Sequence, residues 1–159
     1  MTALTAPEDF HDNALWAFSL RHYARPGVKA SCLALQDAHG LDVNVALACL
    51  WHEHRGGRPM SEGDIERLLA EVSEAQRRVW SLRPLRREAK EAPHGQALYR
   101  ALKRAELLAE NLLQRALFEA LHETDPGPAG DGRASLLAYA SHLDAQFPAP
   151  VLHAFTDAS

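Results

Sequence analysis

The stretch Cys32–Trp51 constrains the fold more than any other part of the sequence. It consists of two apolar helical segments joined at Gly40, and glycine is the residue that most often closes a helix in the left-handed conformation. In Val43–Trp51 only Asn44 is polar, which is typical of a central helix. We therefore expect a tight helix–helix hairpin with specific hydrogen bonds in or near a core. The polar residues around the joint are Gln36, Asp37, Asp42 and Asn44.

Capping and breaking residues predict the other helices. Ser61-x-x-Asp64 resembles a capping box, in which side chains and backbone N–H groups of the first turn bind each other, and it opens a fourth helix. We expect Pro84 to interrupt that helix, because proline lacks the N–H that a helix interior needs, and Pro84–Glu91 to continue it at an angle. Pro93-His94-Gly95 predicts a second break. The predicted helices span roughly residues 12–24, 26–39, 42–51, 61–83, 96–122 and 133–147.

Apolar residues at helical spacing predict the buried faces of the two longest helices. The face of the fourth helix includes one polar residue, Gln76, whose amide would cost about 1–3 kcal/mol if it found no partner. The apolar residues of that face are Ile65, Leu68, Leu69, Val72, Val79 and Trp80. The predicted buried face of the next long helix consists of Leu98, Leu102, Ala105, Ala109, Leu112, Ala116 and Ala120.

The composition favours an all-α fold. Leu, Ala, Arg and Glu, which are good helix formers, dominate the 159 residues, whereas the strand-favouring residues Val and Ile are scarce. The 47% of hydrophobic and 24% of charged residues are those of a globular protein. We expect one compact domain over residues 1–159, a bundle of six or seven helices with an N-terminal helical hairpin. Residues 1–11 are expected to be flexible, and the Pro/Gly-rich segment 123–132 to be a mobile loop.

Compartment signals point to the cytoplasm. The first residues show neither the basic nor the apolar region of a signal peptide, and the chain has no run of about 18 apolar residues that could span a membrane. The two cysteines, Cys32 and Cys49, lie inside apolar helical segments, which is typical of small buried side chains. They lack the C-x-x-C spacing of a redox pair. We therefore expect a cytoplasmic protein without a membrane partner.

A set of motifs in the first third of the chain points to one family. The most specific combination is Leu35-Gln36-Asp37 with Gly40-x-Asp42-Val43-Asn44, since neither half is a generic helix pattern. The others are Trp16-x-Phe18-Ser19-Leu20, Tyr23, Pro26-Gly27-Val28, Cys32-Leu33, Leu50-Trp51 and Pro84-Leu85-Arg86. Together they resemble a family of small proteobacterial proteins that is conserved and of unknown function, most strongly over Trp16–Trp51. The resemblance implies a helical, cytoplasmic bacterial protein and supplies no activity, substrate or catalytic residue.

No motif predicts a catalytic, cofactor-binding or metal-binding residue. The densest histidine cluster, His52-Glu53-His54, has its histidines two positions apart, and on a helix these point about 200° away from each other. A carboxylate-bridged dinuclear site needs two Glu-x-x-His pairs in facing helices, and only Glu119–His122 lies within a regular predicted helix. The nucleophile elbow of hydrolases and the phosphate-binding loop of nucleotide-binding proteins are absent from the sequence. We therefore expect no metal and no cofactor.

A basic segment near the middle of the chain is the strongest functional signal. Between Arg77 and Lys90 six basic residues stand against one acid, Glu88, in a chain whose formal net charge is −4. The run continues past Pro84, further than the preference of a helix C-terminus for positive charge requires. It is either a solvated or internally paired face, or a docking patch for an acidic protein or RNA. We call these residues the basic elbow: Arg77, Arg78, Arg83, Arg86, Arg87 and Lys90.

Three functional hypotheses follow. The leading one is a non-enzymatic interaction or adaptor module that docks an acidic protein surface through the basic elbow. The second is a small-molecule binder or enzyme with a pocket between helices, and the third is an RNA-associated protein. The oligomeric state stays open. The second hypothesis uses a polar niche, which in the alternative interpretation only fixes the angle of the hairpin; its residues are Gln36, Asp37, Asp42, Asn44 and Gln76.

Overall fold

Seven α-helices make up the part of the chain that the computed structural model describes, residues 9–123 and 127–156. No strand occurs in these residues, so the predicted all-α fold is confirmed, and so is the predicted number of helices. The helices are α1 (Ala14–Tyr23), α2 (Val28–His39), α3 (Val43–His54), α4 (Glu62–Glu91), α5 (Gln96–Leu121), α6 (Arg133–His142) and α7 (Ala149–Thr156).

The joint between α2 and α3 has the predicted geometry. Gly40 closes α2 with a φ of 65°, and its N–H donates to the carbonyl oxygen of Gln36. Asp42 opens α3, because its carboxylate accepts the N–H of Asn44 at 2.9 Å. Helix α3 packs against α1, α5 and α6, and residues 45–50 are at most 1% exposed. The central position predicted for this helix is confirmed.

Helices α4 and α5 form a long antiparallel pair, of which α5 packs against α3. The capping box at the start of α4 is confirmed: Ser61 N–H donates to the Asp64 carboxylate at 2.9 Å, and Asp64 N–H donates to Ser61 Oγ at 3.2 Å. The predicted break between the two helices is also confirmed. It lies at His94, which has a φ of 58°.

Helix α4 does not break at Pro84, so the predicted interruption is wrong. Proline removes one helical hydrogen bond, but Pro84 lies on the exposed side of α4, where water can bind the freed carbonyl group. Arg83 and Arg86, on either side of Pro84 in the chain, both pair with Glu106 of α5. This packing holds the helix before and after the proline.

The buried face of α5 differs from the predicted apolar face. Leu98 and Leu112 belong to the predicted face, yet they are 58% and 46% exposed. The face that meets the core lies further around the helix and mixes leucines with polar side chains. The prediction counted apolar residues only, whereas polar groups that bind each other can also be buried. The buried polar residues of α5 are Glu106, Glu110, Asn111 and Gln114.

The predicted face of α4 is correct except at its last position. Gln76 is buried within it, as predicted. Trp80 is 48% exposed, although it was assigned to the same face as Val79, which is fully buried. Successive residues are about 100° apart around the helix axis, so Trp80 lies just outside the buried stripe.

The C-terminal helices differ from the prediction at one end. Helix α6 begins at Arg133 as predicted but ends at His142, because Asp144 takes a positive φ of 52° and turns the chain. The separate helix α7 then follows and packs against α2. It begins at Ala149, between Pro148 and Pro150, and proline is well tolerated in the first turn of a helix.

The structure does not test several of the predictions. The division into a single domain, the flexibility of residues 1–11 and the mobility of residues 123–132 stay predictions. Residues 1–8, 124–126 and 157–159 lie outside the described residues. Of the helices within the two described ranges, none is both long enough and apolar enough to cross a membrane.

Candidate functional site

Helix α4 divides the basic elbow between its inner and outer sides. Arg83 and Arg86, three positions apart, lie on the inner side, with side chains only 17% and 23% exposed. The other four residues are exposed. Of these, Arg78 pairs with Glu74 on the surface at 2.8 Å, whereas no ion pair of the other three occurs within residues 9–123 and 127–156. The exposed residues are Arg77, Arg78, Arg87 and Lys90.

The two inner arginines form a half-buried ion-pair network with α5. Glu106 accepts hydrogen bonds from Nε of Arg83 at 3.0 Å and from Nε of Arg86. Burial by itself would lower the pKa of Arg86, but the interactions with Glu106 and, to a smaller extent, with Tyr99 together outweigh it and raise that pKa. Arg86 is therefore charged at neutral pH and held in place by Glu106.

Glu110 is the least satisfied member of the network. It is 7% exposed, and its Oε1 lies 3.6 Å from Nη2 of Arg83, which exceeds hydrogen-bond length. Among the described residues, none donates a hydrogen bond to its carboxylate. Burial raises the pKa of Glu110, and the nearby negative charge of Glu106 raises it further.

The network lines a small polar cleft between α2, α4 and α5, which we call the ion-pair cleft. Two adjoining depressions of about 90 Å³ and about 180 Å³ form it. The smaller one reaches Gln36 and Asn44, and the larger one reaches Lys29 and Lys103 at the surface. The residues that line both depressions are Tyr23, Leu33, Arg86, Glu106 and Glu110.

The structure brings three residues of the predicted polar niche together. The carboxylate of Asp42 accepts the side-chain N–H of Gln76 at 2.8 Å in addition to the backbone N–H of Asn44. The N–H of Asp42 in turn donates to the hydroxyl of Tyr139 at 3.0 Å. These bonds join α3, α4 and α6. They favour the interpretation in which the niche fixes the angles between helices.

The other two niche residues lie apart from this cluster. Gln36 is half-buried and lines the ion-pair cleft, and Asp37 is exposed on α2. Asn44 connects the niche with α5, because its Oδ1 accepts a hydrogen bond from Nε2 of Gln114 at 2.9 Å. Oε1 of Gln114 is buried and has no hydrogen-bond partner in the described part of the chain.

A long groove of about 750 Å³ runs between the outer sides of α4 and α5. We call it the α4–α5 groove. Its floor is apolar, because Leu82 of α4 faces a stripe of leucines and alanines on α5. Arg77 and Arg78 lie along its α4 side, next to Glu74. The α5 residues of the floor are Ala105, Leu108, Ala109 and Leu112.

The histidine cluster does not form a metal site in the described structure. His52 and Glu53 are buried and His54 is exposed, so the three side chains do not converge. Burial lowers the pKa of His52, so the ring is neutral at neutral pH; its Nε2 lies 2.8 Å from the carbonyl oxygen of Arg58. A cavity of about 440 Å³ opens beside this ring. Within the described residues, no group of three or more His, Cys, Asp or Glu side chains could hold a metal ion.

Both cysteines are buried free thiols, as predicted. Burial raises the pKa of the Cys32 thiol to about 12 and raises that of the Cys49 thiol further. Neither thiol ionises at neutral pH, so neither is an activated nucleophile.

Comparison with known proteins gives one relationship. The model of a family described as a protein of unknown function, DUF2390, matches residues 14–117. The chain belongs to the DUF2390 family. The resemblance that the motifs of Trp16–Trp51 suggested is thereby confirmed and extends to most of α5. No curated protein and no solved structure matches the chain.

The DUF2390 segment contains both surfaces described above. It runs from the start of α1 to Leu117, so the ion-pair cleft and the α4–α5 groove lie entirely within it. Helices α6 and α7 follow it. The hydrogen bond from the Asp42 N–H to Tyr139 therefore links the family segment to the part of the chain outside it.

The sequence interpretation missed the acidic half of the ion-pair network. Glu106, Glu110 and Gln114 recur every fourth residue on α5, and Arg83 and Arg86 share a face of α4. This complementary spacing was a usable signal. By contrast, nothing local indicates that the Glu53 carboxylate accepts the N–H of Ser135 at 2.8 Å. That bond provides the start of α6 with a capping acceptor from another helix.

Proposed function

We propose that this DUF2390 protein is a non-enzymatic interaction module that binds an acidic amphipathic segment of a partner protein in the α4–α5 groove. One observation supports it above all: the apolar lining of the groove on α5 includes a leucine that is open to solvent. Leu112, which lines the groove, is 46% exposed. A regular apolar stripe on a helix is ordinarily covered by another element, and exposed apolar patches commonly mark interaction sites.

The groove has the shape and chemistry of a helix-binding surface. Amphipathic helices insert apolar side chains, spaced three or four residues apart, into grooves between two helices. Ala105 and Ala109 are small and permit close approach of an incoming backbone, while Leu108 and Leu112 provide apolar contact surface. A partner helix lying along the groove would cover the stripe of α5.

The charges beside the groove determine the kind of partner. Arg77 and Arg78 line its α4 side. The ion pair between Arg78 and Glu74 is exposed on both sides, and such pairs contribute little to stability, so a partner carboxylate can replace Glu74. Trp80 is exposed three positions after Arg77, and Trp and Arg are the residues most often found at interaction hot spots. These features fit an acidic partner segment.

An acidic protein fits this surface better than RNA does. The chain has a formal net charge of −4, and the first half of α4 exposes Glu62, Glu66 and Glu71. These carboxylates would repel the phosphate backbone of a nucleic acid lying along α4. RNA binding also commonly uses several exposed aromatic side chains. In α4, which is described over its whole length, Trp80 is the one aromatic residue in the half that contains the arginines.

Photo-crosslinking from inside the groove tests this proposal. Leu112 is replaced by a photo-reactive amino acid, the protein is irradiated in cells, and the captured segment is identified by mass spectrometry. A synthetic peptide of that segment is then titrated against purified variants. We expect an acidic amphipathic peptide whose Kd rises at least about tenfold for R77E/R78E, because two attractive contacts become repulsive.

The matched control reverses the charge of two exposed arginines that lie outside the groove. R21E/R133E changes the net charge by the same amount on α1 and α6 and should leave the Kd unchanged. An equal loss of affinity in the control would show that only net charge matters. Capture of a basic segment, of RNA alone or of a second copy of the chain would contradict the proposed partner.

A further inference from the structure

We propose that His22 of α1 makes the attachment of α7 sensitive to pH. Helix α7, which packs against α2 and contacts His22, stays attached while the His22 ring is neutral and detaches when the ring takes up a proton. None of these helices lines the α4–α5 groove. The proposal therefore goes beyond the docking function and is independent of it.

The His22 side chain connects α1 directly to α7. It is 3% exposed, and its Nε2 lies 2.7 Å from the carbonyl oxygen of Phe155. A carbonyl oxygen can only accept a hydrogen bond, so Nε2 carries the proton of the neutral ring and Nδ1 carries none. The rings of His22 and Phe155 also meet edge to face, with their centres 5.6 Å apart. One imidazole thus makes both a polar and an apolar contact with α7.

The surroundings of His22 favour the neutral ring. Phe18 stacks on it, with the ring centres 5.4 Å apart and the ring planes at 9°. The bond to Phe155 is the one hydrogen bond that the His22 ring makes within residues 9–123 and 127–156. Proton uptake at Nδ1 would add a positive charge and a further N–H donor to this buried site. Both are costly unless the ring becomes accessible to water.

The charged groups that act on His22 also oppose protonation. They are Arg25, which follows α1, and His54 of α3, whose ring contacts Phe18; no described carboxylate is among them. The titratable residue of α7 in the described part of the chain is His153, at an exposed position. Burial lowers the pKa of His22 more than the hydrogen bond to Phe155 raises it, and Arg25 and His54 lower it further.

Helix α7 is short, so a change at one contact residue affects a large part of its attachment. It has eight residues, of which Leu152, Phe155 and Thr156 are buried. The hydroxyl of Thr156 donates to the carbonyl oxygen of Leu152, within α7 itself. The buried apolar side chains of the helix are thus Leu152 and Phe155, and the second of them contacts His22.

The two states of α7 bind the His22 proton with different affinities. When α7 is detached, water reaches the ring and its pKa is close to the ordinary 6.5, whereas attachment lowers it. The free energy that this group contributes to attachment is therefore complete above that value and is lost as the pH falls towards the lowered pKa. Between about pH 7.5 and about pH 5.5, this difference raises the ratio of detached to attached α7 by up to about tenfold.

Hydrogen exchange of the full-length protein tests the proposal. Amide exchange in α7 and α5 is followed by mass spectrometry at both of these pH values, and each rate is divided by the intrinsic exchange rate at that pH. We expect the opening of α7 to increase about three- to tenfold at the lower pH, while the opening of α5 does not increase.

Two histidine variants assign the effect to one ring. In H22Q the side-chain amide can still donate to the carbonyl oxygen of Phe155 but does not titrate, so α7 should open equally at both pH values. H54Q is the matched control, because it removes the histidine that also contacts Phe18. It should keep an increase of at least about threefold.

A titration of the wild-type protein keeps the test decisive if H22Q detaches α7 at both pH values. The ring resonances of His22 should give a pKa below 6.5, and the amide resonance of Phe155 should shift with the same midpoint. Equal opening of wild-type α7 at the two pH values, an unchanged pH dependence in H22Q, or a His22 pKa at or above 6.5 would overturn the proposal.

Discussion

At the scale of the residue, Glu106 and Glu110 show how one turn of helix changes the role of a carboxylate. Both are 7% exposed and lie on the same side of α5. Glu106 accepts hydrogen bonds from two guanidinium groups, whereas the one ion pair of Glu110 within residues 9–123 and 127–156 is with Arg83, at 3.6 Å. Glu106 therefore stabilises the contact between α4 and α5, and the charge of Glu110 weakens it.

Neutralising each glutamate should have opposite consequences for stability. E106Q leaves Arg83 and Arg86 without their shared counter-ion, and we expect it to lower the free energy of unfolding by about 2–4 kcal/mol. E110Q removes a poorly bound charge and should be neutral or stabilising. Urea unfolding at neutral pH measures both. Similar losses in the two variants would contradict the different roles assigned to them.

The raised pKa of Glu110 also predicts a pH dependence. The folded protein binds the Glu110 proton more tightly than the unfolded chain, in which the pKa is near its ordinary value of 4.5. The contribution of this group to stability is complete below that value and is lost as the pH rises through the folded pKa. The unfolding free energy of the wild type, compared with that of E110Q at each pH, should therefore fall with rising pH. A difference that is constant or grows with pH would refute the shift.

At the scale of the element, helix ends with a local cap were predictable, whereas helix faces and the C-terminal end of α6 were less so. Gly40 and the Ser61 capping box act on their own backbone within a few residues, so the sequence contains the whole signal. The buried face of α5 depends on Arg83 and Arg86, which lie on another helix. The continuity of α4 through Pro84 also depends on that packing, which outweighs a local breaking signal.

Adjacent leucines on α5 test the corrected face. Leu113 is fully buried and Leu112 is 46% exposed. We expect L113A to lower the free energy of unfolding by about 2–5 kcal/mol, because it creates a cavity in the core. L112A should change it by no more than about 0.5 kcal/mol. The same unfolding assay compares them, and equal losses would mean that the groove is covered in solution.

At the scale of the whole molecule, the last helices close the bundle over the family segment. His22 of α1 lies against α7, with its Nε2 2.7 Å from the carbonyl oxygen of Phe155 and the two rings in edge-to-face contact. Burial lowers the pKa of His22, so the ring is neutral at neutral pH. The ion-pair cleft could not be predicted from the sequence, because Arg83 and Glu106 come into contact only when α4 and α5 pack in the correct register.

Loss of the Phe155 side chain should detach α7. Phe155 is fully buried, and we expect F155A to cost about 3–5 kcal/mol of stability through lost packing. Hydrogen exchange should then accelerate in α7 and in α2, against which α7 packs, while α4 and α5 stay protected. Q146A, at an exposed position just before the same helix, is the control. Uniform acceleration across all helices would argue against a separate attachment of α7.

The enclosure of α3 has a consequence for how this protein can change over evolutionary time. Residues 45–50 are at most 1% exposed. Because protein interiors are close-packed, an added methyl group there has no free volume and a removed one leaves a void. An insertion or deletion there would rotate every later side chain into the wrong neighbour. We therefore expect substitutions to accumulate, and engineered tags to be tolerated, at exposed positions. We expect α3 to be the slowest-changing part of the chain.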